Sequence, residues 1–178
     1  NFRKVKRIED VVLTFANIRN HIPAKLLLVG DGPERAKIEQ LTRDLDVQHD
    51  VRFLGKIDVV EEVLSVADLF LMPSEKESFG LAALEAMSCE VPIISSNTGG
   101  LPELQINGVT GFMSNVGDVA DMSKNALTIL AEGNLARFKE GALNRAKEFD
   151  ITNILPLYQN FYTKVVEEHA ALHQTEKR

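Results

Sequence analysis

Two glutamates eight residues apart, Glu77 and Glu85, flank a Ser78-Phe79-Gly80-Leu81 segment and carry the densest chemical signal in the chain. The segment follows an apolar run, Leu69 to Met72, that ends at Pro73, and it opens an Ala- and Leu-rich stretch whose pattern predicts a helix from Phe79 to Ser88. The first amides of a helix have no intrahelical acceptor and lie at the positive end of its dipole. Those of Phe79, Gly80 and Leu81 would therefore point toward an incoming anion such as a diphosphate. Glu85, about two turns on, is surrounded by Ala, Leu and Met. A carboxylate buried there is costly unless it is hydrogen-bonded. A ribose diol offers two hydroxyl donors, and a neighbouring Lys or a backbone group would serve as well. A second candidate is Gly30-Asp31-Gly32-Pro33, after another apolar run. Gly30 and Gly32 permit close backbone approach to a ligand, or simply a tight strand-to-helix turn. A dinucleotide fingerprint would need a third Gly where Arg35 stands, which argues against an NAD or FAD domain.

The elements that must hold these residues alternate. Ile8, Val11, Val12, Phe15 and Ile18 fall on one helical face. Lys25 to Val29 reads as a buried strand. Pro33 and Glu34 open a helix whose inner face is Ile38, Leu41 and Leu45. Val51 to Gly55 is a strand, and Asp58 with Glu61 resembles a capping box for the next helix. Leu69 to Met72 and Val91 to Ser95 are strands, Leu101 to Ile106 is a short helix, Gly111 to Met113 is a last brief strand, and helices follow. Such alternation predicts an α/β fold, a Rossmann-like parallel sheet with helices on both faces. In these sheets ligands bind beyond the carboxyl ends of the strands. That edge gathers residues 1–6, 30–33, 55–58, 74–81 and 95–100.

Composition narrows the function classes. The 178 residues are 44% hydrophobic, enough for one domain with a core, and the formal charge of −6 without a basic stripe argues against nucleic acid as the main partner. One Cys permits no disulfide framework and fits a reducing, cytoplasmic setting. No apolar run approaches the ~20 residues of a membrane span. Trp is absent, which excludes a carbohydrate platform built on it. Cys89 reads as a core residue, and His21 and His49 as surface or turn residues. His169 and His173, four apart in a charged tail, read as a solvated helix in preference to a zinc site.

The motif Glu-Ser-Phe-Gly-Leu-x3-Glu-Ala-Met (Glu77 to Met87) resembles the signature of the retaining glycosyltransferases that include glycogen and sucrose synthases, enzymes of two Rossmann-like halves known as GT-B. Val29 to Pro33, Phe53-Leu54-Gly55, Ala67-Asp68, Val91 to Ile94 and Gly99-Gly100-x-Pro102-Glu103 match in order, so the resemblance covers essentially the whole chain. It implies that residues 1–150 are the donor-nucleotide-binding, C-terminal domain and that 151–178 form a helix crossing back to an acceptor-binding N-terminal domain. Glu85 would bind the ribose, Glu77 the donor sugar, Arg3 and Lys6 the diphosphate. Main-chain groups of Lys56 and Ile57 would meet the base, while Gly30, Gly32 and residues 78–81 complete the nucleotide site. Glu90 departs from the family pattern, in which Gly usually stands in the turn before Val-Pro, and reads as a surface change. Asn1 to Arg7 and Ser74 to Ser78 are most similar to the branch that joins N-acetylglucosamine, from UDP-GlcNAc, to L-malate in bacillithiol synthesis.

The resemblance further implies retention of configuration, no metal and no cofactor beyond the nucleotide-sugar substrate. The first residue is Asn, and the strand expected before it, central in such a sheet, would leave unpaired edges open to self-association if it were lacking. Without the acceptor half, no transfer is expected. A UDP-sugar epimerase of similar build and a non-catalytic nucleotide-binding module are the competing classes. The epimerase would release sugar or isomer without an acceptor, and the module would bind UDP without turnover. A response-regulator-like domain is disfavoured, because the place where it needs clustered acids is basic here.

Overall fold

A computed structural model describes residues 1–175. A 3-10 turn (Lys4–Lys6) leads into α1 (Ile8–Arg19), β1 (Leu26–Val29), α2 (Arg35–Asp44), β2 (Val51–Gly55), α3 (Val60–Leu64) and β3 (Phe70–Met72). Then come α4 (Leu81–Ser88), β4 (Ile93–Ser96), α5 (Leu101–Leu104), β5 (Gly111–Ser114), α6 (Val119–Leu130), α7 (Leu135–Glu148) and α8 (Ile151–Thr175). All strand pairs are parallel, β1 with β2, and β3 with β4 with β5.

β4 explains the apolar strand pattern best. Ile93 packs with Met72, Ala83, Met87, Leu101 and Leu104, while the adjacent Ile94 packs with Ile18, Met122, Ala126, Ile129 and Phe138. Successive strand side chains face opposite ways, so a strand covered on both sides must be apolar throughout. Across β1 and β2, Leu28, Val51 and Phe53 meet Val11, Val12 and Phe15 of α1 and Ile38 of α2. On the other face Leu27 and Leu54 each remain 39% exposed. Helices on both faces therefore describe the three-stranded sheet and not the two-stranded one. Among the described residues one edge of β1 and one of β3 carry no partner strand, and the sheet comes in two pieces. Helix α1 spans them, contributing Val12 to the cluster of Leu28 and Ile18 to that of Ile94, with Leu71 of β3 touching both.

Several boundaries move for physical reasons. α4 begins at Leu81, because Gly80 takes the left-handed conformation (φ +97°) as its N-cap and Phe79 lies outside the helix. The capping box at Asp58 does not form; Val59 caps α3 without a side-chain bond. α8 continues through Pro156, and Leu155, Tyr158, Phe161, Tyr162 and Val165 leave an exposed apolar stripe along it. His21 and His49 are exposed, and Cys89 is half-buried beside Val91 and Ala86. The side chain of His173 lies outside the described residues. No helix among these is long and apolar enough to cross a membrane.

Candidate active site

The 3-10 turn crosses the carboxyl edge of both sheets, and backbone pairing fixes it there. The Phe2 amide donates to the Asp31 carbonyl at 3.0 Å, and the Glu34 amide to the Phe2 carbonyl at 3.1 Å. On the other side the Glu75 amide donates to the Val5 carbonyl at 2.8 Å. Phe2, 1% exposed, is the anchor, with its ring against Phe53. The two glycines after β1 make this seat. A Cβ on Gly32 would stand 2.7 Å from the Phe2 carbonyl oxygen, and one on Gly30 would stand 2.7 Å from the Asn1 nitrogen. The close approach they permit is to the protein's own backbone, which places Arg3 and Lys6 over the sheet edge.

Lys6 then reaches across. Its Nζ donates to Oε2 of Glu77 at 2.6 Å, a pair joining residues 71 apart in sequence, with Glu77 13% exposed and Lys6 34%. Arg3 and Lys4 are exposed beside it. Glu77 sits in the loop between β3 and α4, and a second loop, after β4, braces it. The Gly100 amide donates to the Glu77 carbonyl at 3.2 Å and the Thr98 hydroxyl to the Glu75 carbonyl at 3.1 Å. A Cβ on Gly99 would come within 1.6 Å of the Glu77 carbonyl oxygen, so only glycine fits. Gly80 is packed against Leu101, and the Phe79 ring is turned away onto Phe149, at 5.7 Å between centroids. Phe79 thus anchors the loop; the Ala83 amide already donates to the Gly80 carbonyl at 2.8 Å, which leaves the amides of Leu81 and Ala82 at the helix start.

Leu81, Ala82, Glu85 and Ser88 form the exposed face of α4, and Ser78 is exposed in the loop before it. Glu85 is therefore solvated in this structure, and the burial cost expected from its apolar neighbours does not arise. Lys56 is exposed and Ile57 half-buried just past β2. The chain's one Asp-x-Asp sequence, Asp44-Leu45-Asp46, ends α2 at the amino edge of the strands, opposite Lys6 and Glu77. Among the described residues no group of three His, Cys, Asp or Glu could hold a metal ion.

Two contributors had little sequence signal. Thr98 was legible only as part of an edge loop, and Gly99-Gly100 only as part of that loop and of a family match, with no sign that they brace Glu77. Arg7, in sequence only the last residue of the basic Asn1 to Arg7 segment, holds the buried Asp10 with its guanidinium in two bonds of 2.5 and 3.1 Å. That pairing, and more weakly the charges of Glu9 and Glu75, raises the Arg7 pKa against the opposing effect of burial.

Comparison with known proteins places this geometry. Residues 1–145 match the family described as glycosyl transferases group 1. The chain is 46% identical over 170 residues to the N-acetyl-alpha-D-glucosaminyl L-malate synthase of Bacillus anthracis, covering 94% of this chain and 45% of that protein. The sucrose-phosphate synthase of Thermosynechococcus elongatus superposes with a TM-score of 0.82 at 30% identity, over 94% of this chain and 44% of that one. Anabaena HepE, solved in complex with UDP, superposes at 0.83 with 24% identity, over 92% and 47%. The chain spans somewhat under half the length of these relatives.

Proposed function

The chain belongs to the group 1 glycosyl transferases, and from that premise we propose that it is the donor-binding half of a retaining GT-B enzyme that moves N-acetylglucosamine from UDP to L-malate. The observation that carries this is the Lys6–Glu77 pair at the carboxyl edge, one strand-to-helix loop from Glu85. The 46% identity to the malate synthase supports the sugar and the acceptor.

Cleavage of the sugar–nucleotide bond leaves negative charge on the departing diphosphate. Fixed donors aimed at that charge lower the barrier, and removing one typically costs about 3 kcal/mol. Lys6, Arg3 and the first amides of α4 at Leu81 supply such donors without a metal. Glu77 holds hydroxyls of the sugar, and Glu85 takes the ribose diol from the exposed face of α4. Main-chain groups of Lys56 and Ile57 meet the uracil. Gly30 and Gly32 serve the site by seating the cationic turn. The acceptor hydroxyl attacks from the side where the diphosphate leaves and passes its proton to an oxygen of that departing diphosphate, so this half needs no separate general base.

The test is a thermal titration with UDP, GDP and ADP. A ligand at a hundred times its Kd adds about 2.7 kcal/mol, roughly 5–10 °C for a chain of this size. UDP should raise the melting point selectively, and Glu85→Ala should remove the rise. Stabilisation by GDP or ADP but not UDP would overturn the UDP-GlcNAc assignment. No response to any of the three would count against the nucleotide site itself.

A further inference from the structure

Immediately after Lys6, the chain does something that side-chain-bearing residues avoid. Arg7 sits in the left-handed region (φ 48°, ψ 47°) as the N-cap of α1. No side chain caps that helix start, so the conformation gains nothing there. What it gains is direction. The guanidinium is turned back to form a fork with both carboxylate oxygens of Asp10, a residue 3% exposed. Its outer nitrogen also lies where a Cβ on Gly117 would be 3.1 Å away, against the loop between β5 and α6. Arg7 therefore joins α1, which spans both sheets, to the far loop of the three-stranded sheet, one residue from the cation that bonds Glu77.

We propose that Arg7 is a positioning residue for the transfer site, acting through Lys6: its fork with Asp10 and its abutment on the Gly117 loop fix the turn that carries Lys6 toward the diphosphate. The proposal rests on the nucleotide-site reading above. A planar guanidinium makes two parallel bonds to a carboxylate, whereas an ammonium acts as a point charge, so the register depends on Arg and not merely on a positive charge. Lys6, on a flexible stem, has only its bond to Glu77 to define it among the described residues, and a diphosphate entering the site competes for that same ammonium.

The experiment is a double-mutant cycle on UDP affinity, measured by calorimetry on this chain. Arg7→Gly removes the fork while relieving the left-handed backbone, and Arg7→Lys keeps the charge but not the fork. Each is made alone and with Lys6→Ala, and Asp10→Asn accompanies Arg7→Gly so that no buried carboxylate is left unpaired. With Lys6 present, Arg7→Lys and the Arg7→Gly, Asp10→Asn pair should each weaken UDP about five- to tenfold; with Lys6→Ala they should change it less than twofold. Equal losses in both backgrounds would mean a general structural role and overturn the proposal. Full affinity in Arg7→Lys would overturn it too, leaving Arg7 as a bulk charge. Should the Arg7→Gly pair fail to fold, the Arg7→Lys arm decides alone. A wild-type chain that does not bind UDP would instead sink the nucleotide-site reading, which separates the two failures.

Discussion

Glu85 and Glu90 show how differently two glutamates on one helix and its end behave. Glu85 stands on the exposed face of α4 and bonds no cation among the described residues, so its replacement should leave folding stability within about 0.5 kcal/mol while abolishing the response to UDP. That separation makes Glu85→Ala a clean probe of ligand contact. Glu90, just past α4, has φ +62°, the conformation that glycine takes without a Cβ penalty. The departure from the family's Gly is thus a strained backbone position as well as an exposed one. Glu90→Gly should raise stability by about 1 kcal/mol in denaturant unfolding, since the left-handed form costs other residues roughly 1–2 kcal/mol. An unchanged or lower midpoint would mean that the added freedom of glycine in the unfolded chain cancels the relief. At this scale the sequence identified residue types correctly placed at the edge, but not their partners. Lys6 and Glu77 are 71 residues apart, and nothing local announces their bond.

At the level of elements, the loops at the carboxyl edge hold one another. Gly99 permits the contact between the loop after β4 and the loop carrying Glu77. Gly99→Ala forces a Cβ to within 1.6 Å of a carbonyl oxygen at a residue with φ +56°. The expected cost is on the order of 1–3 kcal/mol, together with weakened UDP binding because Glu77 is displaced. Retained affinity at reduced stability would show that the loop's support is dispensable. Away from the site, Asp50 receives Lys25 and Arg19, tying the α1–β1 corner to β2, and Glu9 of α1 receives Lys37 of α2. Asp50 is held below its ordinary pKa by Lys25 first and Arg19 second, and Glu9 below its own by Lys37. Both carboxylates bind protons less readily folded than unfolded. Their stabilising contribution is therefore present above the unfolded values, about 3.9 and 4.3, and is lost as pH falls through the lower folded ones. Denaturant midpoints recorded against pH should decline below about pH 4, and Asp50→Asn should flatten that decline. An acid limb equally steep in Asp50→Asn would assign the loss to other carboxylates.

On the scale of the molecule, the chain carries a carboxyl edge where Lys6 meets Glu77, two separate sheets whose outer strands β1, β2, β3 and β5 each have an edge without a described partner, and a helix with an exposed apolar stripe. It covers 45% of the Bacillus anthracis malate synthase. We expect UDP binding but no transfer from UDP-GlcNAc to L-malate by these 178 residues alone, and transfer once an acceptor-binding domain is joined to them, followed by release of UDP. Transfer by the chain alone would show that the acceptor site lies within it. Free sugar or an isomer formed without malate would favour an epimerase.

Much of this was decided by the sequence itself. The β/α alternation, the strand at Val51 to Gly55 and the Glu77 to Met87 motif are local patterns, because side-chain periodicity and turn chemistry act over a few residues. Tertiary structure decided the rest. It turned Gly30 and Gly32 toward the chain's own first residues, set the Phe79 ring against Phe149 and brought the Arg7 guanidinium against the Gly117 loop. Each of these depends on which distant segment comes to lie alongside, and that follows from packing two sheets across one helix, which no window of neighbouring residues contains.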